Sequence, residues 1–167
     1  MPTATTTYVV TRTHTATHLS NAIAGSIAEI LTHLGISART LMSDWSTEYD
    51  PAIRAWIIEG SLDKVVVECH RPGGSVDPVL EFPIEYYNDG SGSLSHRHVA
   101  LARQWAKLKS VPAGTTFTVI CTYNGPHSDQ PGWGPAQRAS TSALRSTSLG
   151  TLAAGPHASA SVRYLSS

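Results

Sequence analysis

The chain of 167 residues has only two cysteines, Cys69 and Cys121, and its 12 Lys and Arg balance its 12 Asp and Glu. Each cysteine lies inside a predicted strand without C-x-x-C or C-x-x-x-C spacing, so the pair reads as small core residues rather than metal ligands or nucleophiles. That usage makes a reduced, cytoplasmic protein the default. The N-terminal Met1-Pro-Thr-Ala-Thr-Thr-Thr has neither the basic nor the apolar stretch of a secretion signal. No apolar run approaches the ~18 residues needed to span a membrane. Zero net charge gives no footprint for nucleic acid. A hydrophobic fraction of 41% is enough for one core, so a single soluble globular unit is expected.

Catalytic signatures are missing as well. No Walker A or G-x-G-x-x-G follows a strand, and Gly90-Ser91-Gly92 sits in a polar loop rather than in a G-x-S-x-G elbow. His14 and His18 are four apart but have no third ligand of matching spacing. His96 and His98, two apart in a predicted helix, point about 200° away from each other, as on a solvated basic face. Glu81 and Glu85 alternate on the outer face of a strand, an ordinary place for solvated carboxylates. With no nucleophile, base and orienter assembled, the sequence favours a binding or switching protein over an enzyme, with no cofactor and no metal. Two alternatives stay open: a small metal-dependent hydrolase or transferase using His96, His98 and Glu85, and a purely structural partner subunit.

Periodicity marks the elements that are present. Threonines at 3, 5, 7, 11, 13, 15 and 17 bracket Tyr8-Val9-Val10 with a period of two, which predicts a first strand or extended arm. From Thr17 the period changes. Leu19, Ile23, Ile27, Ile30, Leu31 and Leu34 form one stripe of a helix closed by Gly35. Asp50-Pro51 predicts a helix start, with Asp as N-cap and Pro at the first position, and Ile53, Trp56 and Ile57 give its buried face. Residues 64–70 and 79–87 read as a strand hairpin, and Pro83 puts the second strand at or near a sheet edge. Ser95 is placed to cap a third helix that turns Val99, Leu101, Ala102, Trp105 and Leu108 inward. Residues 115–123 form a further strand with Phe117, Val119 and Cys121 on one face.

The last 42 residues, 126–167, contain four charged residues and are dominated by Ser, Thr, Ala and Gly. Residues 1–125 carry 9 basic and 11 acidic side chains, and the tail carries 3 and 1, so a net of −2 faces a net of +2. The tail has too few large apolar side chains to offset roughly 1–2 kcal/mol of backbone entropy per ordered residue. Disorder would fit residues 130–148 taken alone. Yet the last part of residues 157–165 alternates like a strand, and a strand at the end of a polar arm needs a sheet edge to pair with. A wrapping arm is therefore expected.

The string Tyr8-Val-Val-Thr-Arg-Thr-His-Thr, the hairpin end Glu81-Phe-Pro-Ile-Glu85, and the tail's Pro131-Gly-Trp-Gly134 and Arg138-Ala-Ser140 resemble the bacterial HORMA domain proteins. The resemblance runs from Tyr8 to Leu165. It implies an α+β fold with three helices on a small antiparallel sheet and a mobile C-terminal "safety belt". It divides the chain into an arm (1–16), a core (17–125) and the belt (126–167), all within a single domain. The closed belt would wrap a closure-motif peptide that adds a strand beside Thr115, Phe117, Val119, Cys121 and Tyr123. Trp133, Arg138, Leu144, Leu149, Val162 and Tyr164 would belong to the belt. By the same resemblance the chain would activate a cGAS-like nucleotidyltransferase in antiphage CBASS signalling. An AAA+ ATPase would reopen it by gripping Tyr8, Val9, Val10 and Arg12 of the arm.

Overall fold

The computed structural model describes residues 11–87 and 93–167. Helix α1, Arg12–Leu34, begins five residues before the predicted change of period. Its start is a reciprocal cap: the Thr11 hydroxyl accepts from the His14 amide while the His14 ring accepts from the Thr11 amide, satisfying donors that a helix start otherwise leaves free. The expected extended arm therefore stops at Thr11, and Thr15 is a buried residue of the helix. Packing overrides the strand preference of its threonines. The Thr3 to Val10 part of the predicted arm lies outside the described residues. The stripe from Leu19 to Leu34 is fully buried. Gly35 ends the helix at φ 88°, a left-handed turn only glycine takes without strain, and Ile36 N–H returns 2.8 Å to Leu31 O.

A second helical segment runs from Arg39 to Glu59: α2 (Arg39–Asp44), a π-helical turn (Trp45–Tyr49) and α3 (Asp50–Glu59). Asp50 is thus not the N-cap expected of it, because helix already precedes it. The wider turn, closed by Asp50 N–H onto Trp45 O, lets the chain pass Pro51, which has no amide for the regular ladder. The Asp50 carboxylate instead accepts from Ser20 Oγ at 2.6 Å and from Arg54 Nε at 2.8 Å. Helix α4 is short, His98–Trp105. Ser95 does not cap it: Ser95 and His96 form β3, which pairs with Ala153 and Ala154.

The remaining strands are β1 (Leu62–His70), β2 (Val76–Tyr86), β4 (Thr116–Tyr123), β5 (Arg145–Ala154) and β6 (Ala158–Ser166). They form one antiparallel sheet in the order β3-β5-β6-β2-β1-β4. The fold is α+β, with helices on one face of the sheet. Val65, Val67, Leu80, Phe82, Ala160 and Val162 point to α1 and α3 in one core. On the opposite face of the sheet, Val66, Val79, Ile120 and Leu165 form a second, smaller cluster joined by Leu144. No described helix is long and apolar enough to cross a membrane.

The tail is ordered into this sheet, and β5 occupies part of the stretch whose composition fitted disorder. Docking of β6 makes β2 an interior strand, contrary to the expectation from Pro83. The β2–β6 ladder is interrupted there, running from Val79↔Leu165 to Glu81↔Arg163 and resuming at Ile84↔Ala160. The residue without an amide falls in that gap.

Candidate functional site

Among the described residues, strand β4 is paired with β1 on one side only, from Leu62↔Tyr123 to His70↔Thr116, and ends the sheet on the other. Core-facing side chains of β1, such as Val65, Val67 and Cys69, are fully buried. Those of β4, Phe117, Val119, Cys121 and Tyr123, stay half-buried although they point to the same core. The sheet is one strand short of covering its helices here. Thr115, expected on this edge, lies one residue before the strand and spends its hydroxyl on Pro112 O.

Residues after β4 build a wall over this edge. The His127 ring stacks on Tyr123 at 3.5 Å. Trp56 Nε1 donates to Ser128 O at 2.8 Å, and Ser128 N–H donates to Glu59 Oε1 at 2.9 Å. Hydrogen bonds from the Ser61 and Ser128 side chains, with the Ser128 amide, hold the Glu59 carboxyl below its ordinary range. Gln130-Pro131-Gly132-Trp133 is a tight turn closed by Trp133 N–H onto Gln130 O, with Gly132 at φ 83°. Proline second and glycine third is the residue order of a type II turn. The turn drives Trp133 edge-on against Trp56 at 5.2 Å and Tyr49 at 5.9 Å, and its Nε1 donates to Glu48 O at 3.0 Å. Between this wall and β4 is a cavity of about 510 Å³, lined by Val119, Ile120, Cys121, Tyr123, Trp56 and Trp133 among others.

Beyond the wall the chain crosses to the outer face of the sheet. Arg138 NH2 stands 2.9 Å from Glu81 Oε2, and Ala139 N–H donates to Glu68 Oε2 at 2.9 Å. The sequence reading of Glu81 as a solvated carboxylate is wrong: it is 4% exposed, because this crossing covers it, while Glu85 is exposed as expected. Glu68 is 2% exposed and was missed altogether. Its place opposite β2 was readable from strand alternation, but its cover comes from 70 residues along the chain. Of the other residues the sequence reading assigned to a belt, Leu144 joins the outer cluster. Leu149, Val162 and Tyr164 lie in the docked hairpin against the main core.

Burial pushes the thiols of Cys69 and Cys121 up to about 12, so neither is a nucleophile at neutral pH. Among the described residues no three His, Cys, Asp or Glu side chains come together as a metal-binding group. His96 lies in β3 rather than on a helix, and the side chain of His98 falls outside the described residues. Tyr8, Val9 and Val10 also fall outside them. Arg12 is the first residue of α1.

Comparison with solved structures places the fold. A C. elegans HTP-2 structure bound to a HIM-3 closure motif superposes with a TM-score of 0.73 at 14% identity, covering 95% of this chain and 92% of that one. A chain of the mitotic checkpoint complex gives 0.72 at 10% identity, covering 89% and 96%. An E. coli MS115-1 HORMA:CdnC:Trip13 complex gives 0.59 at 14% identity, covering 98% and 92%. No curated protein sequence matches. The profile described as Bacterial HORMA domain 2 matches residues 4–167, and with that match the chain belongs to the bacterial HORMA domain family.

Proposed function

We propose that the chain is a peptide-binding conformational switch: a closure-motif peptide adds as a strand beside β4, and residues 126–167 close over it as the belt. The observation that carries this reading is the bare edge of β4 lying under the wall of residues 127–136, with a cavity between them. Main-chain hydrogen bonds to that edge supply affinity. Alternate peptide side chains pointing to the helices are read by Phe117, Val119, Cys121, Tyr123, Trp56 and Trp133. A peptide threaded under a belt held at both ends leaves only when one end lets go, so its release is slow. The closure motif bound by C. elegans HTP-2 supports this binding mode.

The E. coli complex of a HORMA protein with CdnC and Trip13 supports the wider role. In this reading the closed form activates a cGAS-like nucleotidyltransferase in antiphage CBASS signalling in the cytoplasm, and an AAA+ ATPase reopens it through the N-terminal segment that includes Tyr8, Val9, Val10 and Arg12. The chemistry belongs to the partner. The chain itself is not an enzyme and takes no cofactor or metal.

Peptide display against the full chain tests the binding mode. A selected peptide should dissociate at least about tenfold faster from a variant whose residues 127–137 are replaced by a Gly-Ser linker of equal length, since the linker keeps the hairpin and removes the wall. Equal off-rates, or no selectable peptide, would refute it.

A further inference from the structure

Two of the tail's three basic residues, Arg138 and Arg163, reach the same buried carboxylate on the outer face of the sheet. Glu81 projects from β2 with its side chain 5% exposed. Its Oε2 faces Arg138 NH2 at 2.9 Å and Lys64 Nζ at 3.7 Å, and its Oε1 faces Arg163 NH1 at 3.5 Å. Arg138 also stands 3.9 Å from Glu68 Oε2 through Nε, so one guanidinium spans both carboxylates. Lys64 belongs to the body, Arg138 to the belt, and Arg163 to the hairpin. Glu81 is where the three meet.

We propose that Arg138, acting through Glu81 and Glu68, is the positioning residue that holds the belt shut over the groove and sets how long a peptide stays. This rests on the peptide-trap reading above. Two carboxylates with one lysine suit the outer face of a sheet open to water. Once covered, they are tolerable only if cations arrive with the cover. The cover brings them, which is the structural use of the −2 and +2 division between body and tail. Arg138 stands two residues past Ala136, which lines the groove, so releasing its head frees the far end of the wall. Its Nε and NH2 are buried without a hydrogen-bond partner: Nε is too far from Glu68 at 3.9 Å, and NH2 is close to Glu81 but not aligned with it. The latch is therefore held mainly by charge, with Ala139 N–H as its one aligned bond to Glu68. Such a contact can let go without breaking an interlocked hydrogen-bond pair.

The test uses the full chain and two readouts. In Arg138→Met, exchange of the Ser128, Trp133 and Ala139 amides without peptide and the off-rate of a display-selected peptide should both rise at least about tenfold, because a buried charge loses its partner. The on-rate should stay within about threefold. Glu81→Gln should act in the same direction, and the double variant should be less than additive. If Arg138→Met does not fold, Arg138→Lys takes its place: it keeps the cation, cannot span both carboxylates, and should give an intermediate off-rate. Unchanged exchange and off-rate, or strict additivity, would overturn the latch. If the wild-type chain holds no peptide, the trap reading falls while the exchange measurement still decides whether Arg138 holds the belt.

Discussion

The body sheet β2-β1-β4 has two edges, and the chain treats them differently. On the β2 side the tail supplies a full hairpin, and Leu152, Ala153, Ala160 and Val162 reach zero or near-zero exposure. On the β4 side it supplies a wall that stops short of the strand and leaves a cavity. An unpaired edge invites pairing with another chain, and proteins normally cover or charge it. Here one edge is covered and the other is roofed but unpaired, with threonines rather than charges at 116, 118 and 122. In the proposed reading the covered edge maintains the fold and the roofed edge receives a partner strand.

The sharpest way to break this comparison is to place the same charge on both sides. Val162→Asp puts a carboxylate into a site 1% exposed and should cost about 3 kcal/mol or more, or prevent folding. Val119→Asp, on the half-buried groove wall, should cost about 1 kcal/mol in stability while abolishing peptide capture. Thermal melts by circular dichroism, with peptide binding in parallel, separate the two. Equal destabilisation would mean that β4 is as much part of the core as β6.

Next in size is the aromatic anchor of the wall. Trp133→Ala removes the packing on Trp56 and Tyr49 and the bond to Glu48 O, which together are worth about 1–3 kcal/mol. Peptide off-rates should rise by tenfold or more, while the melting temperature falls by only about 2–10 °C and the chain stays folded. A large melting shift with unchanged release would contradict the anchor role.

Cysteine labelling compares the two strands chemically. With thiols near 12, both cysteines should react about a thousandfold more slowly at neutral pH than a thiol at its ordinary value near 9. Bound peptide should slow Cys121, which lines the groove, further and leave Cys69 unchanged. Equal protection of both would place the peptide elsewhere.

The smallest effect comes from Glu59. Its carboxyl is held below the ordinary value by the Ser61 and Ser128 bonds, so its contribution to docking the wall is full above the unfolded-state value near 4.5. It fades as pH falls through the lower folded value. Peptide release should speed up only at the acid end of that window, and Glu59→Gln should flatten the profile.

The sequence carried the local part of this structure and missed the parts made by distant neighbours. The stripe Leu19 to Leu34 and its Gly35 stop are periodic within one element, and they appear as read. Strand β6 was readable because its last residues alternate. Strand β5 was not: Arg145–Ala154 is mostly Ser, Thr and Gly, and its pairing slips between Ser148 and Gly150, where Gly150 takes φ 92°. It is a strand because β6 and α1 supply partners. Pro83 was misread as an edge marker, because a local gap in the β2–β6 ladder is enough to seat a residue without an amide in an interior strand. Glu81 was misread because alternation gives its face but not what comes to lie on that face. The Pro131-Gly132 turn was visible as a motif, but the ring contacts it makes for Trp133 bridge more than 70 residues.

Amide hydrogen exchange on the full chain, with and without a display-selected peptide, decides whether a peptide pairs with the outer edge of β4. Alternate amides between Thr116 and Tyr123, exposed along an unpaired edge, should gain strong protection when peptide is added. Amides of β1 and β2, already paired on both sides, should change little. Protection confined to other elements, with β4 unchanged, would contradict the account.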